Sequence, residues 1–174
     1  PPTVQIVEDT LHRGLLNSVH AYAAFIELRA SPLAAHGRRV AERARAVAQK
    51  LGMPAPAVQD VAIAALLHDI GRLAMSDASL LAPPQSLTDE ARAEMHRHPE
   101  RGAEMLMVLE PTRAAAEIVR AHHERFAGGG YPKGLRGSEI PVGARILCVA
   151  DDHDEAVSGL LMRAPLSPKA SFDH

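Results

Sequence analysis

Ala57-Val-Gln-Asp-Val-Ala-Ile-Ala-Ala-Leu-Leu-His68-Asp69 decides the fold of this chain. From Val61 to Leu67 every residue is apolar, with none of the alternation that marks a half-buried strand. The stretch therefore reads as a helix buried on every side, over about 57–68. It ends on an imidazole and a carboxylate, His68 and Asp69. Two polar side chains at the end of the most apolar helix in the chain are costly unless something pairs with them, and a bound cation satisfies both.

Helical periodicity continues on either side. Upstream, the spacing predicts a helix over about 7–28, closed by Ser31-Pro32, and a second over 33–50. In the second, Val40, Ala44, Val47 and Leu51 recur every three or four residues, and Gly52 and Pro54 stop it. Downstream, a Pro- and Ser-rich loop spans 76–86, and Thr88 caps a helix reaching His96. Further helices are predicted over 100–109 and 111–125. Gly128-Gly-Gly-Tyr-Pro132 is a loop no helix could contain. Pro141 then opens the last long helix, running to about Leu161. The expectation is an all-α helical bundle: an N-terminal helix over 1–30, the functional domain over 31–168, and a frayed tail over 169–174.

Composition agrees with one such domain. The 174 residues are 47% hydrophobic, much of it alanine, and 3% aromatic with no tryptophan, as closely packed helices require. A net charge of −2 argues against DNA as a partner. Arg38, Arg39, Arg43 and Arg45 read as a solvated helix face. No apolar run approaches the ~20 residues of a membrane span, and no secretory signal opens the chain. It begins Pro1-Pro2 without a methionine, which reads as a piece of a larger protein. Cys148, the single cysteine, fits the reducing cytoplasm and reads as a packed core residue rather than a catalytic thiol.

Metal-type ligands stand at His36, His68-Asp69, His98, His122-His123 and Asp151. Imidazole and carboxylate without thiolate suit iron, manganese, nickel or zinc, and exclude a structural zinc knuckle. Seven ligands are too many for one tetrahedral site, whereas two metals bridged by one carboxylate would use them all. Adjacent His122 and His123 point about 100° apart on a helix, yet both reach one ion if the helix end lies against it. His12, His20, His96, His153 and His174 read as surface residues, with His96 directed away from His98.

In order, His36-Gly-Arg-Arg-Val-Ala41, His68-Asp-Ile-Gly71, His98-Pro99, His122-His-Glu124, Gly128-Gly-Gly-Tyr-Pro132, Ile140-Pro141 and Val149-Ala-Asp151 resemble the HD-GYP subfamily of HD-domain phosphohydrolases. The resemblance extends from His36 to about Ser167. It implies an HD-domain bundle and a bacterial phosphodiesterase that opens the second messenger cyclic di-GMP to pGpG, in some members onward to GMP. Such domains commonly serve signal transduction beside receiver or sensor domains. By position, it implies His36, His68, Asp69 and Asp151 around one ion, with Asp69 bridging to a second held by His98, His122 and His123. The ions are then iron or manganese, and activated water attacks phosphorus. Arg72, where the family usually carries lysine, clamps a phosphate beside the catalytic Asp69. Tyr131 stacks on a base, and its loop shapes a guanine pocket or binds a GGDEF-type diguanylate cyclase. Glu124 and Asp154 support ligand histidines from behind. A homodimer is a compatible assembly.

Three departures stand out. The glutamate that trinuclear members carry one turn before the first histidine is Pro32 here, which predicts two metals rather than three. The loop's leading aspartate is Ala127. The arginine expected on substrate phosphate is Leu160, a loss of ~1.5–3 kcal/mol that Arg163, near by, offsets in part. These motivate an alternative reading as a catalytically weak signalling adaptor that keeps a metal, nucleotide or cyclase partner.

Overall fold

Ala30, with φ −156° and ψ 74°, divides the long N-terminal helix α1 (Pro2–Lys50) into two stretches. Pro32 explains the break: it lacks an N–H and is tolerated only in the first turn of a new helix. The stop expected at Ser31-Pro32 is thus a kink rather than a loop. The computed structural model describes residues 2–158.

After α1 come α2 (Ala55–Leu67), a 3₁₀ turn Ile70–Ala74, α3 (Asp77–Leu80), a second turn Pro84–Ser86, α4 (Asp89–His96) and α5 (His98–Met107). The chain continues through a turn Glu110–Thr112, α6 (Arg113–Arg120), a turn Gly137–Glu139 and α7 (Val142–Ser158). No strand occurs among the described residues, and the expected all-α bundle holds. Thr88 caps α4 as predicted, its Oγ1 accepting the Ala91 N–H at 3.2 Å. The stretch 76–86 read as a loop contains the short α3, and two boundaries differ. Only Arg97 separates α4 from α5, because Pro99 sits in the first turn of α5, where its missing N–H costs nothing. α6 ends at Arg120 rather than Arg125, since Ala121 leaves helical geometry at φ −110°, ψ 7°. Pro141 precedes α7, its carbonyl accepting the N–H groups of Ala144 and Arg145. The predicted end near Leu161 and the tail beyond lie outside the described residues.

α2 is the axis of the bundle, packed on α1, α6 and α7. Its Val61, Ala64, Ala65 and Leu67 are fully buried. Facing it, α1 buries Val40, Ala44 and Ala48, whereas Val47 and Leu51 are exposed. The i, i+4 spacing of the buried three keeps them on one stripe, and residues three positions on rotate off it. Alanine at so many contacts lets the axes approach closely, which is how a chain nearly free of aromatics fills its core. Among the described residues no helix is long and apolar enough to cross a membrane.

The turn after α2 packs tightly against the start of α5. A Cβ on Gly71 would collide with the His98 carbonyl oxygen and sit 2.7 Å from the Gly102 nitrogen. That contact is backbone on backbone and sets Asp69 beside His98. Gly71→Ala should therefore lower the unfolding free energy by about 1–3 kcal/mol in urea denaturation. Gly14→Ala, in a helix where nothing lies within 4 Å of the added carbon, should raise it by up to about 1 kcal/mol.

Candidate metal centre

Helix ends and inner helix faces deliver the seven ligand-type side chains to one place. His68 is the C-cap of α2, and Asp69 precedes the next turn. His98 is the first residue of α5, and His122 and His123 lie in the turn that follows α6. His36 and Asp151 project from α1 and α7. His36, His68, Asp69, His98, His122 and Asp151 are buried, and His123 is half-buried.

The separations are those of ligands around ions. His36 Nε2 lies 2.9 Å from Asp151 Oδ1, and His68 Nε2 lies 3.4 Å from the same oxygen. Asp69 turns Oδ2 toward His68 Nε2 at 3.7 Å and Oδ1 toward His98 Nε2 at 3.5 Å. His98 Nε2 faces His122 Nε2 at 3.3 Å. Two atoms each about 2.1 Å from one ion lie about 3.0 Å apart at a right angle and about 3.4 Å apart at the tetrahedral angle. His98, His122 and His123 form one compact set of donor atoms, and His36, His68 and Asp69 form another.

Tautomers strengthen the case. His68 Nδ1 donates to the Ala65 carbonyl at 2.8 Å, His98 Nδ1 to Met95 at 2.6 Å and His122 Nδ1 to Val119 at 2.6 Å. Each Nδ1 carries a proton, which turns each Nε2 to the centre and, in the neutral rings of His98 and His122, leaves it a lone pair. Burial holds His98 down at about 4 and His122 at about 3, so both are neutral at physiological pH. Two lone pairs aimed at each other at 3.3 Å repel unless a cation lies between them. Burial alone would raise Asp69, but Arg72 and the imidazoles hold it well below the usual carboxylate range. The donor set therefore fits divalent metal.

His36 and His68 differ from the other three imidazoles: against burial, Asp69 and Asp151 raise His68, and His36 is raised further. Burial would depress it, yet its hydrogen bonds to Asp151 and Asp154 outweigh that and push it up to about 10. Nδ1 meets Asp154 Oδ2 at 2.7 Å, leaving Nε2 for the centre. Asp154 is buried and also accepts from Arg39 at 2.7 Å and from Arg43. The arginine face read as solvated is thus partly spent: a buried carboxylate draws Arg39 and Arg43 inward, while Arg38 pairs with Glu27 at the surface.

Other side chains lie elsewhere than expected. Arg72 is buried, with Nη1 on Asp69 Oδ2 at 3.2 Å and Nη2 on the Leu80 carbonyl at 2.9 Å, so its guanidinium is occupied rather than turned outward to a phosphate. Glu124 is buried too, but its hydrogen bond is from the Lys133 N–H at 2.7 Å, not from a histidine. It anchors the glycine-rich loop, whose Tyr131 N–H reaches the His123 carbonyl at 3.2 Å. A Cβ on Gly130 would run into the backbone of His123, Glu124 and Arg125, which is why the loop carries glycine there. Tyr131 is clamped between His96 and His123, at centroid separations of 4.4 and 4.8 Å. Both ring faces are covered, so the stacking expected with a base meets His96 instead. His96 was not legible as a partner because a stacking contact leaves no mark in spacing.

Cys148 is half-buried rather than packed in the core. Its sulfur accepts from Arg125 at 3.2 Å, and burial raises its thiol to about 11, which keeps it protonated at neutral pH. Leu160 and Arg163 lie outside the described residues. Glu155 was missed, although its place one turn after Asp151 was a signal that both share a face. Its donor oxygen clusters with those of His36 and Asp151. Burial, with Asp151 and Asp69 beside it, pushes Glu155 up to about 8.

Comparison with known proteins agrees with this geometry. A sequence profile described as "HD domain" matches residues 21–174. The cyclic di-GMP phosphodiesterase response regulator RpfG of Xanthomonas campestris pv. campestris is 40% identical over 138 residues, 78% of this chain and 36% of its own length. The 3'3'-cGAMP-specific phosphodiesterase 2 of Vibrio cholerae is 35% identical over 138 residues, 78% of this chain and 26% of its own. The chain thus spans about a third of the length of these relatives or less. Among solved structures, Bd1817, an HDG"Y"P protein from Bdellovibrio bacteriovorus, superposes with a TM-score of 0.65 at 27% identity, covering 81% of this chain and 45% of that one.

Three measurements follow from the His36 environment. A proton held at about 10 must leave when Nε2 takes a metal, so adding Mn(II) to weakly buffered protein at pH 7 should release acid. The apparent affinity should rise by up to about tenfold per pH unit over pH 6–8. Asp154→Asn, which weakens the group behind His36, should reduce metal affinity about 10–100-fold in a competition titration with little change in helicity.

Proposed function

The chain belongs to the HD-domain family, and from that premise we propose that it hydrolyses cyclic di-GMP to pGpG, and onward to GMP, at a centre of two divalent ions. The observation that carries this reading is Asp69, whose two oxygens face two separate imidazole sets, His68 on one side and His98 on the other. One carboxylate placed between two donor sets suits a binuclear site, in which His36, His68, Asp69 and Asp151 would hold one ion and His98, His122 and His123, with Asp69, the other. Iron or manganese suits this mixture of nitrogen and oxygen without sulfur. When bound, the metals supply Lewis acidity toward phosphate oxygens and lower the pKa of water.

The chain's own residues prepare that chemistry. The carbonyls of Ala65, Met95 and Val119 hold His68, His98 and His122 in the tautomer that leaves Nε2 free. Asp154 does the same for His36 from the other ring nitrogen. Arg72 keeps Asp69 ionised and in place, work we assign to it in preference to clamping a phosphate. Tyr131 braces His123, so the glycine-rich loop is part of the support of the centre. Arg163 remains the candidate for phosphate contact. In the reaction a water oxygen bonds to phosphorus, the bond from phosphorus to the ribose oxygen breaks, and that oxygen takes up a proton. Partners follow from this reading: a cyclic dinucleotide as substrate, and a GGDEF-type cyclase or a second copy of the chain as a protein neighbour, in the cytoplasm.

The names of the similar proteins span cyclic di-GMP and 3'3'-cGAMP, so the assay should offer both together with cyclic di-AMP. Anaerobically purified protein loaded with iron or manganese should open cyclic di-GMP fastest. Asp69→Ala should lower turnover about a thousandfold or more while circular dichroism is retained. Full metal occupancy without hydrolysis of any of the three would overturn the proposal.

A further inference from the structure

α7 brings a second carboxylate to the centre. Glu155 follows Asp151 by four residues, so the two side chains stand on one helix face, a turn apart. One donor atom from each of His36, Asp151 and Glu155 lies within 4.8 Å of the others. His36 Nδ1 is engaged by Asp154, so the atom it offers to this group is Nε2, which already lies 2.9 Å from Asp151 Oδ1.

The charges around it are unevenly matched. Asp154 has Arg39 and Arg43, Asp69 has Arg72, and Asp152 has Arg125. Asp151 pairs only with imidazoles, and among the described residues no arginine or lysine forms an ion pair with Asp151 or Glu155. Ionising a second carboxylate one turn from Asp151 is unfavourable, and partial burial makes it more so. A divalent cation answers it better than one shared histidine, and carboxylate oxygens suit hard ions such as manganese.

We propose that Glu155 is a metal ligand, closing with His36 and Asp151 a cation position on the α1–α7 side of the centre. The proposal rests on the reading of the centre as a metal site and adds a residue to it. It also bears on the count of ions, since Pro32 had removed the carboxylate expected before His36, and Glu155 supplies one from α7 instead. As an eighth ligand it either adds an oxygen to the ion held by His36 and Asp151 or holds a further ion with them.

Mn(II) titration followed by the electron paramagnetic resonance of the free ion tests this on the whole chain without any substrate. Glu155→Gln and Glu155→Ala both suit a helix, and circular dichroism checks that they fold. The expected result is the loss of one Mn(II) per chain or an affinity at least tenfold weaker for the weakest ion, in both variants. Unchanged stoichiometry and affinity in both, with Asp69→Ala losing metal, would overturn the assignment of Glu155 and leave the centre standing. A wild-type chain that takes up no Mn(II), iron or zinc would instead overturn the centre itself, and the ligand with it.

Discussion

Lone pairs that point at one another in a buried space are the constraint on which this structure turns. His98 and His122 present Nε2 atoms 3.3 Å apart, each held in that tautomer by a backbone carbonyl behind it. Asp69 adds a carboxylate to the same space and Asp151 a second. In a protein interior such an arrangement is strongly unfavourable without positive charge at its middle. A bundle stabilised mainly by alanine, valine and leucine tolerates it because a cation converts the same repulsion into the binding free energy of the site.

Close packing is what lets four helices and two turns contribute to so small a volume. Gly37 lies against the Leu66 carbonyl and Gly71 against His98, leaving no room for a methyl group, and Gly143 lies against the Ile118 side chain. Those contacts join α1 to α2, the turn after α2 to α5, and α6 to α7. They are therefore the same joints that carry His36, Asp69, His98 and Asp151 to the centre. A loss of stability at these glycines and a loss of metal are two readings of one displacement.

Much of this was legible in the residues. The buried helix ending in His68-Asp69, the Thr88 cap and the seven donor side chains that gather together all leave local marks, either as periodicity or as residue types at helix ends. What escaped is non-local or depends on orientation. His36 meets Asp154 across 118 positions, and nothing in either neighbourhood announces it. Arg39 and Arg43 look like surface charges until a buried carboxylate faces them. Glu124 sits next to two ligands in sequence, yet its carboxylate serves Lys133 of the loop, because the chain leaves α6 before it and turns that side chain elsewhere. The stop of α6 at Arg120 is the source of the error, since a continuous helix to Arg125 would have given Glu124 a different direction.

That early stop also gives the glycine-rich loop its place in the argument. Once α6 ends, the His123 carbonyl is free of the helical ladder and accepts the Tyr131 N–H. The Tyr131 ring then lies on the His123 imidazole, with His96 on its outer face. Gly130 makes the approach possible by presenting no side chain to the backbone of residues 123–125. A loop held by a main-chain bond, a buried glutamate and a ring stack on His123 is coupled to the geometry of that donor side chain. Anything that binds over His96 or draws the loop outward acts on His123 directly.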